Sequence, residues 1–184
     1  MELKDAIVSR RAPRAFTSRR VEEHTLRELL TAAVQAPSAV NEQPWSFAVV
    51  QSAEKLHQWS ETAKRLLLEE RGALPKLAEF LHIDSFNIFY DATTLVVIAV
   101  EHPNEFSAAD CWLAAQNLML TATELGLGTC CIGFALAALN TRDALRELGL
   151  GAEAKVYVPI IVGDPSATPE PVSRRAPHVA AWLR

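Results

Sequence analysis

The sequence predicts a single domain of mixed helices and strands, centred on one long buried helix. A chain of 184 residues, 49% of them apolar, is sufficient for one substantial hydrophobic core. Residues 108–125 form an apolar helix roughly 27 Å long, whose few polar side chains fall on two narrow lines. Residues 93–100 are a continuous β-branched run, which is typical of a central strand buried on both faces.

The other elements follow from apolar spacing and from cap residues and prolines at element ends. These patterns predict helices over residues 2–9, 25–36, 53–70, 75–81 and 141–148, and strands over residues 46–51, 93–100 and 154–162. In the first helix, Leu3, Ile7 and Val8 are expected to face inward. Asn140 is the expected N-cap of the last helix. Pro159 lacks a backbone donor, which predicts an edge or bulge position in the last strand.

The last 21 residues differ in composition from the rest of the chain. Residues 164–184 are rich in proline, and we expect an extended, irregular tail attached to a single domain of residues 1–184. The apolar residues 179–183 predict that the tail docks, either on its own body or on a partner subunit.

Charge and composition exclude several functional classes. The net charge of −4 does not favour a nucleic-acid partner. Residues 1–15 lack the apolar run of a signal peptide, and the polar residues of the long helix argue against a membrane span, so we expect a cytoplasmic protein. The three cysteines predict buried core thiols and no disulfide framework. The five histidines lack ligand spacing, so no metal site is predicted.

Motifs of common enzyme classes are also absent. Gly126 and Gly128 follow a helix rather than a strand, so they do not form a dinucleotide fingerprint. Neither a Walker A sequence nor a Gly-x-Ser-x-Gly elbow occurs. The remaining features are two basic clusters, a loop of Pro, Ser, Asn and Gln, and a Gly-rich turn. The first cluster is Arg10, Arg11, Arg14, Arg19 and Arg20, and the second is Arg174 and Arg175. This combination favours an organic phosphate cofactor over acid–base chemistry, and no catalytic side chain is predicted.

Four stretches stand out by their order and spacing along the chain. They are Ser-Arg-Arg-Ala-Pro-Arg-Ala-Phe at 9–16, Ala-Pro-Ser-Ala-Val-Asn-Glu-Gln-Pro-Trp at 36–45, Gln-Asn-Leu-Met-Leu-Thr-Ala-Thr-Glu-Leu-Gly-Leu-Gly-Thr-Cys at 116–130, and Arg-Arg-Ala-Pro at 174–177. Together they resemble the flavin-dependent (FMN) nitroreductase family. The resemblance implies an α+β, three-layer α/β/α fold with a mixed, mostly antiparallel central sheet flanked by helices. It also implies a homodimer that holds FMN at the subunit interface.

Carried over by position, the resemblance assigns the phosphate and ribityl end of FMN to basic residues. These residues are Arg10, Arg11 and Arg14, joined from the tail by Arg174 and Arg175. Arginine suits this role because its planar guanidinium matches phosphate oxygens and forms charge-assisted hydrogen bonds.

The resemblance assigns the flavin ring to two other segments. Ile132 and Gly133 would lie along one side of the ring, with a backbone N–H directed at flavin N5. The other side would be contacted by a loop of the neighbouring subunit, which Gln43 supports. The loop residues implied to reach the ring are Pro37, Ser38, Ala39 and Asn41.

The implied activity is hydride transfer from NADH or NADPH, through flavin N5, to an acceptor such as a nitroaromatic, a quinone or an enone. A flavin-binding protein without NAD(P)H turnover, serving storage or redox sensing, is an open alternative, as is specialised chemistry such as reductive dehalogenation or flavin fragmentation. Ala12 stands where the family usually has Ser, and Ala92-Thr93 replaces a frequent Ala-Pro. The chain is short for the family, so we expect a reduced lid over the substrate pocket.

Overall fold

A computed structural model describes residues 1–69, 79–83, 85–167 and 169–184. Its α-helices with both ends among the described residues are α1 (Leu3–Ser9), α2 (Glu23–Ala33), α3 (Ala53–Glu69), α4 (Ser107–Glu124), α5 (Ala135–Leu139) and α6 (Arg142–Glu147), and Ala39–Asn41 form a short 3-10 helix. Its strands are β1 (Trp45–Val50), β2 (Thr94–Val100), β3 (Gly128–Cys131) and β4 (Lys155–Gly163). No helix within the described ranges is long and apolar enough to cross a bilayer.

The four strands form one sheet in the order β1-β2-β4-β3. Each of its three strand pairs is antiparallel, with Trp45 opposite Val100 at one end of β1 and Cys131 opposite Ile160 in β3. The two predicted strands richest in β-branched residues, β2 and β4, occupy the interior, and β1 and β3 form the two edges. This order places the segment before β1 and the segment after β3 at opposite edges of the sheet.

Helices cover both faces of the sheet, because the side chains of β2 alternate between two cores. Leu95, Val97 and Ala99 pack into a core with α3, α5 and α6. Val96 and Ile98 pack into the opposite core with α2 and α4. The predicted α+β, three-layer architecture is therefore confirmed.

The long core helix is confirmed as α4. It ends in a Schellman motif: Gly126 adopts φ +77°, its N–H donates to Thr123 O (3.1 Å), and Leu127 N–H donates to Ala122 O (2.8 Å). The helix is less enclosed than predicted, because Trp112 and Leu113 on its outer side are exposed in the single chain.

The predicted orientation of α1 is wrong. Its buried residue is Ala6, whereas Leu3, Ile7 and Val8 are 66%, 54% and 73% exposed. The small Ala6 side chain lets α1 pack closely on α4, which leaves the larger apolar side chains on the outer face.

Pro159 lies in an interior strand rather than at an edge. Its carbonyl accepts a hydrogen bond from Ile132 N–H (2.9 Å), so its nitrogen also points toward β3. Regular pairing between β3 and β4 ends at Cys131, one residue short of Pro159, so no ladder donor is lost. The irregularity in β4 lies nearby, where the register shifts between Ile98 and Ala99 of β2.

Two further expectations need correction, and one lies mostly outside the described residues. Residues 128–131 form the short edge strand β3, although the sequence predicted only a Gly-rich turn there. The N-cap of α6 is Thr141, which accepts from Ala144 N–H, whereas Asn140 donates to Val156 O (3.1 Å). The helix predicted from Pro75 overlaps the described residues only at 79–81, which are helical.

Candidate functional site

The N-terminal arginines lie on a short segment that is anchored to the end of β4. Phe16 forms an isolated antiparallel bridge with Pro165. Thr17 N–H donates to Asp164 O (2.9 Å), and Ser166 N–H donates to Ala15 O (3.0 Å). Because these bonds fix the chain just after Arg14, they set where the preceding arginines lie.

Two glycines allow this segment to cross the sheet closely. Gly128 and Gly163 are opposite each other in the β3–β4 pair. A Cβ on Gly128 would collide with the Pro13 ring, and one on Gly163 would lie 3.1 Å from Phe16 Cδ1. The absence of side chains at both positions therefore makes room for residues 13–16.

The three N-terminal arginines have different environments. Arg14 is exposed, and its guanidinium carbon lies 6.0 Å from the centroid of the Tyr90 ring. Arg10 is half-buried and makes one long hydrogen bond to Arg11 O (3.4 Å). Arg11 is held by backbone at the end of α1: its Nη1 donates to Val8 O (2.6 Å) and to Arg10 O (2.9 Å). Arg14 and Arg10 are thus more available to an anion than Arg11.

A cavity of about 460 Å³ lies beside Arg14 and within the size range of small-molecule sites. Its lining residues are Arg14, Leu67, Leu81, Ile88, Tyr90, Cys130, Cys131, Ile132, Gly133 and Phe134. The lining is mainly apolar, and none of its described residues is a carboxylate. No atom lies within 4 Å of the position that a Cβ on Gly133 would occupy, so a ligand can approach the backbone there.

The two cysteines in the cavity wall are protonated packing groups at neutral pH. Burial raises the pKa of the Cys130 thiol, and the positive charges of Arg14 and Arg10 oppose this rise. Burial, reinforced by Cys130, raises the pKa of the Cys131 thiol to about 11. Cys111 is buried in α4, and all three cysteines are free thiols.

The predicted ring-contacting loop has a constrained backbone. Val40, Asn41 and Gln43 have φ values of +46°, +57° and +52°. This region is strained for a β-branched residue such as Val40, which is also 97% exposed. Inside the loop, Gln43 N–H donates to Ser38 Oγ (2.9 Å). Gln43 thus supports the loop through its backbone.

Two hydrogen bonds fasten this loop to the start of α4. Ala39 N–H donates to Asp110 Oδ1 (3.1 Å), and Asn104 Nδ2 donates to Glu42 Oε2 (2.9 Å). Asp110 is 3% exposed, and its Oδ2 has no hydrogen-bond partner among the described residues. Asp110 lies on one of the two polar lines of the long helix, but its spacing in the sequence did not predict this contact with the loop.

A single chain does not bring the loop and Gly133 together. The loop precedes β1 at one edge of the sheet, and Gly133 follows β3 at the other edge, roughly 14 Å away across three strand spacings. None of the loop residues Pro37, Ser38, Ala39, Asn41 and Gln43 lines the cavity. Ile132, Gly133 and Arg14 do line it together.

The tail arginines are also separate from the cavity in the single chain. Residues 169–184 form no helix or strand, and Arg174 and Arg175 are exposed. Neither lines the cavity beside Arg14. The apolar tail residues Val179, Trp182 and Leu183 are exposed as well.

Comparison with known proteins identifies the family. The family model described as the nitroreductase family matches residues 7–164. The chain belongs to the nitroreductase family. Its fold matches that of a nitroreductase from Bacteroides fragilis with bound FMN, with a TM-score of 0.89 at 26% identity over the whole of both chains.

Three curated relatives of this nitroreductase-family chain carry two different names. An Archaeoglobus fulgidus protein, provisionally named NADH dehydrogenase/NAD(P)H nitroreductase, is 30% identical over 86% of this chain and 83% of its own length. A Methanothermobacter thermautotrophicus protein with the same provisional name is 33% identical over 70% of this chain, which spans only 59% of that relative. An iodotyrosine deiodinase from Thermotoga neapolitana is 28% identical over 69% of this chain and 71% of its own length.

Part of the cavity wall of this nitroreductase-family chain was not foreseen. Ile88 and Tyr90 lie in a stretch without a clear helix or strand pattern, and Leu67 lies in the predicted α3 without any sign of a ligand role. These residues line the cavity because residues 85–92 pack against α3. The only local signal was the cluster of aromatic residues at 86, 89 and 90.

Proposed function

We propose that this chain is an FMN-dependent oxidoreductase that uses NADH or NADPH to reduce an acceptor such as a nitroaromatic, a quinone or an enone. The observation that carries the proposal is that Arg14 lines a mainly apolar cavity together with Ile132 and Gly133. A cationic side chain next to an apolar cavity of this volume suits a molecule that has a phosphate at one end and an aromatic ring system at the other.

The residues present fit FMN. Arg14 and Arg10 would hold the phosphate and ribityl end, and the exposed Arg174 and Arg175 would join them once the tail docks on a partner. Ile132 and Gly133 would lie along the ring, with a backbone N–H near N5. When bound, FMN supplies the redox chemistry by accepting hydride at N5 and passing it on. The chain itself contributes positioning and exclusion of water.

The same proposal includes a homodimer with the ring-contacting loop of one protomer over the cavity of the other. It is supported by the separation of the loop from Gly133 within one protomer and by the strained, exposed Val40 in that loop. Pro37, Ser38, Ala39 and Asn41 would then contact the ring from the partner, with Gln43 as support. We also propose that residues 164–184 act as an extended tail of the single domain.

The test is a purified chain incubated with FMN and freed of excess flavin. We expect retained flavin absorbance, bleaching by NADH or NADPH without oxygen, and recovery when menadione or nitrobenzene is added. A protein that fails to retain FMN would refute the proposal. Bleaching by dithionite but not by NAD(P)H would instead indicate a flavin-binding protein without NAD(P)H turnover.

The deiodinase among the relatives favours a second candidate, the reductive dehalogenation of iodotyrosine. The same preparation distinguishes the two candidates. Release of iodide from 3-iodotyrosine by the dithionite-reduced protein, with no oxidation of NAD(P)H by nitroaromatics or quinones, would support dehalogenation. Fast quinone reduction without iodide release would support the first proposal.

A further inference from the structure

Part of the cavity wall comes from residues 85–92, which precede β2 and are held by buried polar side chains of α3. Ile88 N–H donates to Ser60 Oγ (3.1 Å), and Lys64 Nζ donates to Phe86 O (3.2 Å). Ser60 and Lys64 are one helical turn apart and both are buried. The wall therefore has a defined position although residues 85–92 contain no helix or strand.

Within this wall, the backbone of Tyr90 is fixed in an unfavourable conformation. Tyr90 and Asp91 have φ values of +52° and +55°. Asn87 braces both residues: its carbonyl accepts from Tyr90 N–H (2.9 Å), and its Nδ2 donates to Asp91 Oδ1 (2.9 Å). Left-handed conformations of bulky residues are costly and persist where the surroundings enforce them, often at functional sites.

The side chain of Tyr90 lines the cavity and is packed on two sides. The Phe86 ring meets it edge-on, with centroids 5.7 Å apart, and the Arg14 guanidinium lies 6.0 Å from its centroid. Tyr90 is half-buried, yet its hydroxyl has no hydrogen-bond partner among the described residues. The hydroxyl is also not one of the buried unpaired atoms, so it is accessible from the cavity. The ring is therefore oriented by its neighbours, and the hydroxyl is left for a ligand.

We propose that the Tyr90 hydroxyl donates a hydrogen bond to an oxygen atom of an uncharged aromatic acceptor, such as a quinone carbonyl or a nitro group. The inference rests on the proposed function and adds a residue that selects the substrate. The described cavity wall offers apolar side chains to a flat ring and no carboxylate to a cation. Among the described side chains that line the cavity, Arg14 and Tyr90 are the two with an N–H or O–H donor. The proposed function assigns Arg14 to the phosphate end of FMN.

The test compares two ligands of similar shape that differ in their oxygen atoms. Oxidised, FMN-loaded protein is titrated with nitrobenzene and with toluene, and the dissociation constants are read from changes in flavin absorbance. Tyr90→Phe keeps the ring, its packing and its backbone strain. We expect this variant to bind nitrobenzene about 3- to 10-fold more weakly and toluene within about twofold of the wild-type chain.

The matched control is Tyr157→Phe, which alters the only other tyrosine of the chain, on β4 and outside the cavity. It should bind both ligands like the wild type. Unchanged nitrobenzene binding by Tyr90→Phe, or an equal loss for nitrobenzene and toluene, would overturn the inference. NAD(P)H is not used in the titration, so a failure of hydride transfer would count against the proposed function and leave this result interpretable.

Discussion

At the scale of single residues, neighbouring arginines differ in their hydrogen bonds and exposure. Arg11 Nη1 is hydrogen-bonded to two backbone carbonyls at the end of α1, and its Nε is buried without a partner among the described residues. Arg14 is exposed at the cavity mouth. Sequence spacing places these residues close together but does not reveal which guanidinium is already occupied.

Arg14→Ala should therefore weaken FMN binding about tenfold or more, since a charge-assisted hydrogen bond contributes roughly 1.5–3 kcal/mol. Arg11→Ala is the matched control, and it should weaken FMN binding less than about threefold while lowering stability by removing the cap of α1. Fluorescence titration with FMN and with riboflavin measures both effects. Riboflavin lacks the phosphate, so Arg14→Ala should change its affinity little. Equal losses of FMN affinity in the two variants would contradict this division of roles.

At the scale of elements, the close crossing of residues 13–16 over β3 and β4 connects the sheet to the arginine cluster. Phe16 and Pro13 occupy the space that Gly163 and Gly128 leave free. The position of the cluster therefore depends on side-chain volume in the sheet as well as on the loop itself.

Gly128→Ala should destabilise the chain by about 1–3 kcal/mol, because the new methyl group would overlap the Pro13 ring and force the crossing segment outward. Urea unfolding of the flavin-free protein measures the loss. Gly133→Ala is the control: it adds the same methyl group in open space and should change stability by less than about 0.5 kcal/mol. If Gly128→Ala is as stable as the wild type, residues 13–16 can shift without a loss of stability, which would contradict this prediction.

Strong local patterns were sufficient to predict most of the elements. The β-branched residues of β2, the apolar face of α2 and the Gly126 terminus of α4 each match the structure. The errors share a cause, because contacts between segments distant in the sequence determined the structure at these positions. Four residues of β3 carry too short a pattern, and Pro159 is tolerated inside the sheet because its neighbouring strand stops there.

The candidate site was predictable to a smaller extent. Arg14, Ile132 and Gly133 meet at one cavity, as the resemblance implied for one side of the ligand. Ile88 and Tyr90 also line it, on a segment that α3 holds through two hydrogen bonds, from Ile88 N–H to Ser60 Oγ and from Lys64 Nζ to Phe86 O. Such long-range contacts leave no periodic signal in the sequence.

At the scale of the whole molecule, the single chain exposes more apolar surface than its fold requires. The outer face of α1 presents Leu3, Ile7 and Val8, and α4 presents Trp112 and Leu113. Surfaces of this kind mark contacts with other proteins. They agree with the proposed homodimer, which would bury them.

The proposed shared site predicts complementation between two inactive variants. Gly133→Trp fills the ring side of the cavity, and Asn41→Trp blocks the exposed loop, so each homodimer should lose activity. Co-expression makes about half of the dimers mixed, each with one intact site, so about a quarter of the wild-type activity per subunit should return. The assay is NAD(P)H oxidation with menadione, after size-exclusion chromatography has shown that each variant is dimeric. A mixture as inactive as its parents would place the whole site within one protomer.

The two hydrogen bonds that join the predicted ring-contacting loop to Asn104 and Asp110 have a consequence for the proposed homodimer. Disordered loops lose conformational freedom when they settle against another surface, and that loss opposes association. Here the left-handed residues are already set by bonds inside their own protomer. Rigidifying the loop therefore costs conformational entropy when the chain folds, and in the proposed homodimer association would require little further ordering of this loop.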